Sequence, residues 1–139
     1  MVNQKSQVSM EYLAIIGFVV VVVAVLVTIS MFYSKQVNDQ VIINQVDRLA
    51  KELVDTSEKV YYWGPPSKIT IKSYIPASVD SISIANNEIV FKVSTQHGSS
   101  DVAYKASVNI TGAIDNSQGL RRILVESRDG FVLINGTLS

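Results

Sequence analysis

The chain has 139 residues, 47 % of them hydrophobic, a formal net charge of +0 from 12 Lys+Arg against 12 Asp+Glu, and no cysteine. The charge balance argues against a nucleic-acid partner, which calls for a basic face. The missing cysteine excludes Cys-based zinc sites, thiol nucleophiles and the disulfide staples of many small secreted domains.

Much of the apolar content sits in one run near the N-terminus. Residues 12–33 are 22 positions without a charge, bracketed by Glu11 and Lys35. As a helix they rise about 33 Å, enough for the hydrocarbon core of a bilayer. A conventional secretory signal has an apolar core of about 7–15 residues and then a small-x-small cleavage site. This run is longer, and it ends in Ser30-Met31-Phe32-Tyr33. Its plain reading is a single-span signal anchor. Lys5 before the run and Lys35, Arg48 and Lys51 after it do not orient it. The valines at 19–23 are poor helix formers in water, but in lipid the backbone must bond to itself and helix wins. Gly17 permits close helix contact.

The residues ahead of the run carry a motif. Gln7, Ser9, Glu11 and Tyr12 read Q-x-S-x-E-Y behind a polar leader, MVNQKS. The arrangement resembles archaeal type IV pilins with class III signal peptides. The resemblance implies cleavage by a prepilin peptidase between Ser6 and Gln7, so that residues 1–6 leave as a leader and Gln7 starts the mature chain. Glu11 is then the fifth residue, where type IV pilins keep a glutamate for assembly. The implied partners are further copies in a homopolymeric filament, the peptidase, an assembly ATPase and a membrane platform. The membrane holds the precursor before assembly.

Helical periodicity continues past the run. Ile42, Val46, Leu49, Leu53 and Val60 recur on one face, with Asp39, Asp47, Lys51, Asp55, Glu58 and Lys59 largely off it. Asp47 and Lys51 make an acid-then-base pair four apart. Gly64-Pro65-Pro66 stops the helix. The apolar half is expected in lipid or a helix bundle, and the stripe of the second half is expected to pack on a domain.

Beyond Pro66 the period becomes two. Ile69, Ile71 and Ile75 alternate with polar residues, and strands are expected at 81–84, 88–94, 101–108, 120–126 and 131–134. Asn86-Asn87 suits a tight hairpin, and Ser127-Arg128-Asp129-Gly130 reads as a hairpin loop. The expected fold class is α+β, with a long N-terminal helix (7–63) followed by a small antiparallel β-sheet or β-sandwich domain (64–139). That is also the type IV pilin layout.

No catalytic, metal or cofactor site is expected. His97, Ser100 and Asp101 are neighbours in one polar stretch, whereas triad members converge from separate elements. Arg121 and Arg122 point to opposite faces of a strand and make no patch. Asn109-Ile110-Thr111 and Asn135-Gly136-Thr137 fit the N-glycosylation triplet. Tyr61, Tyr62 and Trp63 are expected to pack the domain on the helix, with an adhesive aromatic patch as the alternative. With the resemblance, these readings imply a structural subunit of an archaeal type IV pilus-like filament serving adhesion. The rival is a minor pilin-like or membrane-anchored surface protein with a binding β domain.

Overall fold

A computed structural model describes residues 4–96 and 98–138, with side chains over 8–96 and 98–136. His97 and residues 1–3 of the leader lie outside the described residues, as do the side chains of Ser6, Gln7 and Thr137. The chain divides into two compact units, Met1–Asn38 and Asp39–Ser139.

Helix α1 (Gln4–Trp63) runs through both. It holds no proline, and Gly17 is its one glycine. At its end Gly64 takes φ 74°, the left-handed cap that ends many helices. The Gly64 N–H donates to the Tyr61 carbonyl at 3.1 Å. Pro65 and Pro66 have no N–H with which to continue the helix.

Within the second unit, seven strands follow: β1 (Lys68–Ile75), β2 (Val79–Ala85), β3 (Glu88–Thr95), β4 (Gly98–Lys105), β5 (Ile110–Ala113), β6 (Gly119–Arg128) and β7 (Phe131–Leu138). They form a four-stranded sheet of order β1-β6-β7-β5 and a three-stranded sheet of order β2-β3-β4. The layout is α+β. One sheet is antiparallel throughout, but β5 pairs with β7 in parallel and makes the other sheet mixed. That corrects the expectation of a purely antiparallel domain.

The error lies at one place. The expected strand 101–108 is β4 at Gly98–Lys105, and the chain then leaves the sheet. Ala106 and Val108 are still buried, so apolar alternation continues through a connection that is not a strand. The short β5 contains Gly112 and too little alternation to read. The second hairpin loop is also tighter than expected. β6 continues to Arg128, which pairs with Phe131, leaving only Asp129 and Gly130 between. The first hairpin is as read: Asn86 and Asn87 take φ 53° and 64°, the positive values a two-residue turn demands.

One core joins both sheets to the helix stripe. Ile71, Ile75, Ile123, Val125, Val132 and Ile134 come from the mixed sheet, and Ile89, Phe91, Val93 and Val102 from the other. Val46, Leu49, Leu53 and Val60 enter from α1 as the periodicity requires, with Ile42 half-buried beside them. Ala50, Val54 and Ser57 widen the stripe. Ser57 is fully buried because its hydroxyl donates to the Leu53 carbonyl at 2.7 Å, so no polar atom is stranded.

Candidate functional site

The first unit is helix whose apolar side chains have no cover. Every large apolar side chain from Val8 to Val37 is exposed, including Phe18 and the valines at 19–23. The segment is long and apolar enough to cross a membrane. Tyr12 and Tyr33 sit at its two ends, roughly 31 Å apart along the axis. That spacing matches a hydrocarbon core of about 30 Å with tyrosines at both interfaces. One polar atom inside the run is satisfied locally: the Thr28 hydroxyl donates to the Ala24 carbonyl at 2.8 Å.

Glu11 heads this surface, one helical turn after Gln7. Its side chain is exposed, and among the described residues it makes no hydrogen bond or ion pair. A carboxylate beside twenty-odd apolar positions is costly to carry into a dry environment without a partner.

In the second unit, carboxylates on α1 hold the strands. Asp39 accepts the Gln96 N–H at 3.1 Å. Asp47 accepts the Tyr104 hydroxyl at 2.9 Å. Glu58 accepts both the Ser107 N–H at 2.9 Å and the Ser107 hydroxyl at 2.7 Å. The two Ser107 donors, backbone first, lower the Glu58 pKa below its ordinary value against a smaller opposing effect of burial. The Asp47 hydrogen bond raises the Tyr104 pKa, helped by burial and by the charges of Asp47 and Asp55. In the sequence all three acids read only as residues largely off the stripe. They flank the stripe and reach β4 and its two ends. Asp47 is thus engaged by Tyr104, and the ion pairs among the described residues are Arg121–Asp115 and Arg128–Glu126.

The candidate glycosylation residues differ in setting. Asn109 is exposed in the connection between β4 and β5, its Nδ2 donating to the Gly130 carbonyl at 3.5 Å. Asn135 is half-buried in β7, an interior strand, opposite Leu124 on one side and Ala113 on the other. The aromatic cluster is split as well. Tyr61 packs on the core, edge-on to Tyr62 at 5.8 Å between ring centroids. Tyr62 and Trp63 are 75 % and 62 % exposed, so they do not pack the domain on the helix.

Ser100 and Asp101 occupy consecutive positions of β4 and so point to opposite faces. Among the described residues no three His, Cys, Asp or Glu side chains converge as a metal site would require. Compared with family models, with curated proteins and with solved structures, the chain matches none.

Proposed function

We propose that the chain is a structural subunit of an archaeal type IV pilus-like surface filament. A prepilin peptidase removes residues 1–6, and the mature chain assembles through its N-terminal helix. The observation that carries the reading is the uncovered apolar helix headed by Q-x-S-x-E-Y. Lipid covers that surface in the precursor, and the helices of neighbouring copies cover it in the fibre. Glu11 is the assembly residue, and the β unit is the outer, adhesive part. The assembly ATPase and membrane platform are separate proteins, and the chain itself catalyses nothing.

The rival reading is a minor pilin-like or membrane-anchored binding protein, favoured by Tyr62 and Trp63 being exposed rather than packed. Mass spectrometry of sheared surface fibres separates the two. The subunit reading expects this chain as the abundant species, beginning at Gln7. Fibres that lack it, or contain it with residues 1–6 intact, overturn the reading.

A further inference from the structure

The sheets place four charged pairs directly opposite one another among the described residues, and they are not alike. Lys92 faces Asp101 and Glu88 faces Lys105 across β3 and β4. Lys68 faces Glu126 across β1 and β6. Each of these joins opposite signs. The fourth joins like signs: Lys72 faces Arg122 across β1 and β6.

Two cations directly opposite repel, and both side chains are exposed. Among the described residues no acidic side chain lies beside them, and the β7 position paired with Arg122 is Leu138. Their neighbours on the same face are Thr70 and Tyr74 along β1 and Leu120 and Leu124 along β6. The next acid along that face of β6, Glu126, is bonded to Arg128 at 3.1 Å. Tyr74 and Leu120 are themselves directly opposite, and 52 % and 71 % exposed. Gln118 Nε2 donates to the Tyr74 hydroxyl at 3.0 Å and so orients the ring. Among the described residues, two cations with no acidic side chain beside them therefore adjoin an exposed aromatic ring. A lysine on an edge strand guards against strand addition, but that role does not explain an arginine opposite it.

We propose that this patch binds the uronate carboxylates of an acidic polysaccharide. The cations take the carboxylates, Arg122 in the two-pronged geometry that suits them, and Tyr74 with Leu120 takes the apolar face of a sugar ring. Few acids are left without a neighbour of their own for a second copy of the chain to bring to the patch. Asp39, Asp47 and Glu58 are committed to their own strands. Asp80 accepts the Ser94 hydroxyl and Asp115 pairs with Arg121. Glu52 and Asp55 each have a cation four positions away on the helix. Asp129 and Glu11 are the acids with no such neighbour among the described residues. Nucleic acid is a poor fit, because two cations on a chain of net charge +0 fall short of the several phosphate contacts such binding needs.

The inference rests on the adhesive role proposed for the β unit, and it is independent of filament assembly. The test uses the full chain in a nonionic detergent, with immobilised polygalacturonate, neutral dextran and poly-glutamate as probes. Retention by polygalacturonate is expected, with the other two weaker by about tenfold or more. Lys72→Thr combined with Arg122→Thr should lower polygalacturonate binding by about tenfold, whereas Lys92→Thr leaves it unchanged. The double variant should melt no lower than wild type, since it removes a repulsion. Three results overturn the proposal: no binding to polygalacturonate, equal binding by the double variant, or equal binding to poly-glutamate, which would assign the patch to an acidic protein. Because no step requires a fibre, a wrong N-terminus in sheared fibres would sink the filament reading and leave this result standing.

Discussion

The Tyr104 hydroxyl donates to Asp47 at 2.9 Å and ties β4 to α1 across 57 positions of sequence. Asp39 and Glu58 grip the two ends of β4 in the same way. The helix stripe is thereby fixed in register with the strands, and the β unit holds α1 by polar contacts as well as by its core. Tyr104→Phe should loosen the contact without emptying it. The expected outcome is faster amide hydrogen exchange in β4 with little change in global unfolding. Unaltered exchange there would mean that the hydroxyl contributes nothing.

Glu58 makes the second unit sensitive to acid. Its pKa is lowered in the fold by the two Ser107 hydrogen bonds, from an ordinary value of 4.5. A lowered carboxylate adds stability that is complete above the unfolded value and lost as pH falls through the folded one. The contribution of Glu58 should therefore be constant above about pH 4.5 and decline below it. Asp115, lowered first by the Ser117 hydroxyl, acts in the same direction. Glu58→Gln should flatten part of the acid limb in urea titrations at a series of pH values. The side chain is partly exposed and its charge is screened by solvent, so the effect is small, about 0.5 kcal/mol. An identical acid limb in the variant would remove Glu58 from this role.

Leu53 is fully buried, at the centre of the stripe. Leu53→Ala should cost about 2–5 kcal/mol. The same dependence predicts the outcome of truncation. A chain beginning at Ser34 keeps Val46, Leu49, Leu53 and Val60 and should fold in solution. One beginning at Ser67 loses them and leaves core residues of both sheets open. Circular dichroism and urea unfolding of the two compare them directly, and equal stability would show that the stripe is dispensable.

Gly112 sits where β5 runs close beside the backbone of β7. Its φ of 142° is strained for any residue with a side chain, and a Cβ there would strike the Ile134 carbonyl of β7. Gly112→Ala should destabilise the unit by more than about 3 kcal/mol or detach β5. A melting temperature within a degree or two of wild type would contradict this.

Glu11 should matter for assembly and not for membrane insertion. Cleavage before Gln7 would create an α-amino group that is largely cationic at neutral pH. Set against Glu11 of a neighbouring copy, it would form a buried pair, and breaking such a pair costs about 3–5 kcal/mol. Glu11→Gln should be inserted and cleaved yet nearly absent from sheared fibres. Recovery in fibres at the wild-type ratio would leave Glu11 as an acid at the lipid interface only.

The apolar run, the stripe from Ile42 to Val60, the stop at Gly64-Pro65-Pro66 and the Asn86-Asn87 turn were all legible in the amino-acid order. Each is a local property: a period, a backbone angle or a missing N–H. The parallel pairing of β5 with β7 was not legible, because a four-residue strand containing Gly112 has no period to read and its partner lies about twenty residues on. Ala106 and Val108 continued an alternation that the chain no longer used for pairing. The grip of Asp39, Asp47 and Glu58 was hidden for a related reason. An acid beside a stripe reads the same whether it meets water or a donor from another element, and only packing decides which. Lys72 and Arg122 lie 50 positions apart. Each alone is an ordinary exposed cation. The register of β1 against β6 makes them neighbours, and register is set by long-range pairing and burial of one face. Composition and period thus determined where the helix, its core stripe and most of the strands lie, while β5 and the surface juxtapositions came only from the folded arrangement of the sheets.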